Sequence, residues 1–108
     1  MILYLLGKSP FEYRSIETYY QLAELQSRAG IDVRIVFLHG GVLVARKSNQ
    51  FEERLRALAS AGVSLFHRKE DLDARGITDD SMNELGTAIN TAEIIKLAAE
   101  SDTLVSVI

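Results

Sequence analysis

Cysteine is absent from the whole 108-residue sequence, which removes disulfides, thiolate metal sites, Cys-X-X-Cys redox chemistry and cysteine nucleophiles. The redox poise of a compartment therefore leaves no mark on the chain. A basic excess is also missing. The formal net charge is -3 and the pI lies near 5.3, so no electrostatic footprint for DNA or RNA is present, and no direct nucleic-acid partner is expected. Long apolar runs are missing too: the opening Met1-Ile2-Leu3-Tyr4-Leu5-Leu6 lacks a basic lead and is far shorter than a signal core or a membrane span. A cytoplasmic protein with no membrane partner is the expectation. Neither a Gly-X-Ser-X-Gly elbow nor a phosphate-loop or dinucleotide glycine fingerprint occurs, so no motif supports enzyme activity and no cofactor is expected.

What is present is ordinary for a soluble globular chain: 47% hydrophobic and 25% charged residues, enough to build a packed core in a single domain spanning residues 1–108. Residues 2–6 form a continuous apolar run closed by Gly7, which suits a strand buried on both faces in a parallel sheet. Ser9-Pro10-Phe11-Glu12 has the pattern of a helix start, with Ser15 as the alternative. Over residues 16–29, Glu17, Gln21, Glu24 and Arg28 fall on one stripe and Ile16, Tyr19, Leu22, Ala23 and Leu25 occupy the remainder, predicting a heavily packed helix. Tyr19 and Tyr20 are adjacent and cannot both face the same core, so at least one is expected at the surface or in a subunit contact, or else partly buried with its hydroxyl in solvent.

Residues 33–38 read as a second strand followed by the turn His39-Gly40-Gly41, and residues 42–45 as a buried helical turn or an extension of the strand, the helical turn being favoured. Phe51, Leu55, Leu58 and Ala59 mark an amphipathic helix stopped by Gly62. Residues 63–66 give a third strand and residues 70–75 a short helix closed by Gly76. Residues 86–89 are a candidate short fourth strand. Thr91 is read as the cap of a last helix facing inward with Ile94, Ile95 and Ala98, and residues 104–108 as the final strand. This alternation predicts an α/β fold, a three-layer α/β/α sandwich with a mostly parallel sheet of about five strands.

Such sheets bind ligands outside the carboxyl ends of their strands. That places Gly7-Lys8-Ser9, His39-Gly40-Gly41 and His67-Arg68-Lys69 on one rim. The ligand-binding candidates are Lys8, Ser9, His39, Gly40, Gly41, His67, Arg68 and Lys69, which together would suit a small anion. The bland alternative is a set of solvated loop charges, with Glu70 and Asp71 neutralising them locally. His39 and His67 could ligate a metal, but no close-spaced third ligand accompanies them and ordinary histidines are the better explanation. Use of either as a general base in a cysteine-independent enzyme ranks last.

Three stretches resemble a known family. Leu3-Tyr4-Leu5-Leu6-Gly7-Lys8-Ser9-Pro10, Val36-Phe37-Leu38-His39-Gly40-Gly41-Val42-Leu43-Val44-Ala45 and Glu70-Asp71-Leu72-Asp73-Ala74-Arg75-Gly76-Ile77 are similar to segments of the DsrE/DsrF/DsrH group. The likeness is greatest to its DsrH (TusB) branch, and the third stretch is the most specific. The resemblance implies a DsrE-like fold and work in sulfur transfer, including the relay that thiolates tRNA wobble uridine. As partners it implies either a homo-oligomer, from dimer to hexamer, or a hetero-oligomer with a cysteine-bearing DsrE-like chain. Active members carry sulfur as a persulfide on a cysteine eight residues before the Gly of the Arg-Gly pair. Counting back from Gly76 puts Arg68 there, and a guanidinium is not a sulfur nucleophile. Gly40 also stands where relatives often have Asp. The reading is therefore a non-catalytic, oligomer-forming subunit of a sulfur-relay complex, with a stand-alone small-anion or sulfur-oxyanion binding module as the alternative.

Overall fold

A computed structural model describes residues 1–108. The chain runs β1 (Ile2–Leu6), α1 (Ile16–Arg28), β2 (Val33–Phe37), a 3-10 helix (His39–Ala45), α2 (Glu52–Ser60), β3 (Ser64–Arg68), α3 (Lys69–Ala74), a 3-10 turn (Asp79–Ser81), β4 (Thr87–Ile89), α4 (Thr91–Glu100) and β5 (Thr103–Val107). The five strands form one sheet in the order β4-β3-β2-β1-β5. Every pairing is parallel, so the sheet is wholly rather than mostly parallel.

The order explains the layers. From β1 to β4 the chain moves steadily one way across the sheet, and the last connection then returns to place β5 on the far side of β1. Right-handed crossovers in opposite directions put their helices on opposite faces. The larger core cluster joins Ile16, Tyr20 and Ala23 of α1, Val42 and Val44 of the 3-10 helix, Leu55 and Leu58 of α2 and Leu72 of α3 to Tyr4, Ile35, Phe37 and Leu65 of the sheet. The opposite face carries a smaller cluster in which Leu3, Val36, Leu38 and Ile89 meet Ile94 of α4. Strand parity sorts these residues, since neighbours along a strand point to opposite faces.

Several local expectations need correction. The Ser9-Pro10 stretch opens a turn and not a helix, because the Ser9 carbonyl accepts from the amides of Glu12 and Tyr13 at 3.1 and 2.9 Å. Helix α1 starts after Ser15, and its Leu22 and Leu25 are exposed, Leu25 by 67%. Part of its polar stripe turns inward instead: Arg54 of α2 donates to Glu17 at 2.7 Å and to Glu24 at 2.5 Å. Tyr20 is buried and Tyr19 half-buried. Asn90, not Thr91, caps α4, accepting from the Glu93 amide at 2.9 Å while the Glu93 carboxylate accepts from the Asn90 amide. Ile95 is 64% exposed rather than inward. No helix is long and apolar enough to cross a membrane.

Candidate functional site

The carboxyl ends of β1 and β2 open into a cleft of about 480 Å³ lined by Lys8, Ser9, Tyr13, His39, Gly40 and Arg75, with Gly7, Glu12, Leu43 and Ile108 completing the wall. Lys8 follows directly from β1, and its ammonium lies over the Tyr13 ring, 4.4 Å from the centroid. Ser9 is buried, and its hydroxyl oxygen accepts from the Phe11 amide at 3.2 Å. His39 begins the 3-10 helix with a left-handed backbone, φ 49°, and its side chain is half exposed.

One carboxylate organises the far wall. Asp71, in the first turn of α3, has a side chain only 10% exposed. It accepts the His39 backbone amide at 2.8 Å and Arg68 at 3.2 Å on one oxygen. Its other oxygen accepts from Arg75 at 3.4 Å and lies 3.9 Å from the His39 ring Nδ1. The amide bond holds His39 in its strained conformation, while helical spacing brings Arg68 and Arg75, three residues before and four after, to the same group.

Of the expected rim residues, the structure brings Lys8, Ser9, His39 and Gly40 together at the cleft. Gly41 lies beneath it, where its backbone crosses the Leu6 carbonyl so closely that a Cβ would collide with that oxygen. His67, Arg68 and Lys69 do not join them. The reason is the length of β3, which continues through Arg68 and so holds His67 inside the sheet. His67 is fully buried, stacked on Phe37 with ring centroids 5.1 Å apart. Burial lowers its pKa to about 4, so it is neutral near neutral pH. Arg68 points to the α4 side, donating to the Thr91 hydroxyl at 3.0 Å, 4.0 Å from Glu70 and bonded to Asp71. Thr91 in turn donates its hydroxyl and its amide to Glu70. These bonds, with the hydroxyl first, lower the Glu70 pKa to about 2. Lys69 is exposed and paired with Asp73 at 3.4 Å.

Sequence reasoning did not assign Arg75, Asp71, Tyr13 or Glu12 to the site. For Asp71 and Arg75 a signal existed, since charges at helical spacing on residues 68, 71 and 75 predict a shared face. Tyr13 and Glu12 carried none, because their placement depends on the Ser9 turn. No group of three or more His, Cys, Asp or Glu side chains is arranged to hold a metal ion.

A family model described as "DsrH like protein" matches residues 8–104. The chain belongs to the DsrH-like family. Protein TusB of Photorhabdus laumondii is 31% identical over 99 residues, which cover 92% of this chain and 93% of that protein. Among solved structures, the ychN protein from E. coli superposes with a TM-score of 0.88 at 17% identity, covering 98% of this chain and 97% of its own. MTH1491 from Methanobacterium thermoautotrophicum, described as a protein of unknown function, gives 0.75 at 17% identity, with 98% and 96% covered. At these identities the structural likeness speaks for the fold, which the DsrH-like chain shares with both.

Proposed function

We propose that this DsrH-like chain is a non-catalytic, oligomer-forming subunit of a sulfur-relay complex of the DsrEFH/TusBCD kind, serving sulfur transfer to tRNA in the cytoplasm as a single domain. The observation that carries this reading is Arg68. It occupies the position that the family register gives to the persulfide cysteine, and its guanidinium is engaged by Asp71, Thr91 and Glu70. A cation so held supplies no thiolate and no open pocket for one. A chain without cysteine then contributes surface, not sulfur chemistry, and its partner is a cysteine-bearing DsrE-like chain.

Affinity purification of the tagged chain from its native host tests this directly. Recovery of a cysteine-bearing DsrE-like polypeptide in a fixed ratio is the expected result. Recovery of the tagged polypeptide alone, at concentrations where the relay is expressed, would overturn it.

A further inference from the structure

We propose that the cleft between Lys8 and Arg75 is a binding site for a small tetrahedral oxyanion, either free or as the end group of a larger molecule. This inference rests on the geometry of the cleft and not on the subunit reading above.

The first support is position. Connections leave β1 toward β2 on one side, whereas β5 arrives on the other side of β1 from the opposite direction. The cleft lies outside the carboxyl ends of β1, β2 and β5, the rim at which open parallel sheets bind ligands. Gly7 and Lys8, just past β1, and Ile108, just past β5, both line the cleft. Gly7 keeps the gap narrow: a Cβ there would lie 3.0 Å from the His39 ring and 3.3 Å from the Ile108 backbone.

The second support is charge. Lys8 has an aromatic ring as its ammonium contact rather than a carboxylate. Arg75 shares Asp71 with Arg68 and with the His39 amide. Glu70, 4.0 Å from Arg68, supplies that cluster with a second carboxylate, so the positive side of the cleft wall is carried by Lys8, with the Arg75 guanidinium presented there as a donor. Lys8 and Arg75 come from different segments, the loop after β1 and the end of α3, with His39 and Gly40 between them. Convergence of cationic donors from separate elements on one concave surface suits a compact anion with several acceptor oxygens. Glu12 is the opposing group on the wall, and it supplies the sharpest test.

Amide chemical shifts of the full chain would be followed during titration with sodium sulfate, sodium thiosulfate and adenosine monophosphate, at ionic strength held constant with sodium chloride. Saturable shifts confined to Gly7, Lys8, Gly40 and their neighbours are expected. Tighter binding of sulfate or thiosulfate identifies a free oxyanion, and tighter binding of the nucleotide identifies a carried one. Lys8→Gln, at a surface position whose loss does not threaten the fold, should weaken binding about tenfold, as loss of one charge-assisted contact does. Glu12→Gln should tighten it by removing repulsion. Shifts that chloride reproduces, or affinities indifferent to Lys8→Gln, would overturn the proposal. So would weaker binding in Glu12→Gln, which is the response of a cation site.

Discussion

At the scale of single residues, the site region depends on two buried groups that behave oppositely. Asp71 is satisfied: it accepts from the His39 amide, Arg68 and Arg75. Asp71→Ala leaves two guanidinium groups facing each other and releases an amide held at φ 49°. Both arginines keep roughly a third of their side-chain exposure, so solvent screens part of the loss and the cost is about 2 kcal/mol rather than the full penalty of a broken buried pair. Asp71→Asn, which keeps an oxygen for the amide, should cost less; urea unfolding of both variants measures the difference. His67 is the unsatisfied case, with both ring nitrogens lacking a partner. Its pKa of about 4 in the fold lies below the unfolded value near 6.5, so between these limits the unfolded chain binds the extra proton. Stability should be flat with respect to this group above pH ~6.5 and fall as pH drops toward ~4, by on the order of 3 kcal/mol in total. His67→Leu should abolish that slope in pH-dependent unfolding; a slope that persists would assign it to the carboxylates instead.

At the scale of elements, the 3-10 helix after β2 sets the floor of the cleft, and adjacent glycines divide the task. A Cβ at Gly41 would strike the Leu6 carbonyl, a backbone atom that cannot turn aside, whereas one at Gly40 would rest 3.6 Å from the Ser9 Cβ in ordinary contact. Gly41→Ala should therefore destabilise by roughly 1–3 kcal/mol and Gly40→Ala scarcely at all, a contrast that thermal unfolding reads directly. Equal losses would show that the crossing is not the constraint. The elements themselves were largely legible in the sequence, because stretches such as residues 2–6, wholly apolar, and 33–38, apolar apart from Arg34, read as buried strands. Strand order was not, since nothing local distinguishes a return of β5 beside β1 from a continuation beyond β4. The inward face of α1 was misread because its acidic stripe is matched by Arg54 on α2, a partner that periodicity within one helix does not reveal. The resemblance singled out Arg68 by counting back from Gly76. Yet the two extra residues of β3 decided that His67 is core and Arg68 faces α4, and hydrophobic runs fix strand ends poorly when a strand finishes in polar residues.

At the scale of the molecule, the two faces of the sheet are unequally covered. Four parallel strand spacings make the sheet roughly 19 Å wide, and a single helix is about 10 Å across, so α4 alone cannot shield its side. The residues show the shortfall. On the α1 side, Val105 and Val107 of β5 pack against the larger core cluster. By strand parity Leu104 points to the α4 side, and it remains 48% exposed. Ile95 on α4 is 64% exposed. Apolar surface beside an unpaired parallel edge strand is the combination that assembly relieves, and if the chain is the oligomer-forming subunit proposed above, the α4 and β5 side is where its contact is expected. Ile95→Glu combined with Leu104→Glu should leave the fold intact, since Ile95 is mostly and Leu104 about half in water and surface substitutions usually stay within about 0.5 kcal/mol each. It should nevertheless break assembly. Light scattering coupled to size-exclusion chromatography at matched concentrations is the measurement: the wild type should elute as an oligomer, alone or with its cysteine-bearing partner, and the double variant as a 12.0 kDa monomer. An unchanged oligomer would move the interface elsewhere, with Leu22, Leu25 and Ile31 as one further exposed apolar group near α1. A wild type that stays monomeric with its partner present would remove the subunit reading itself.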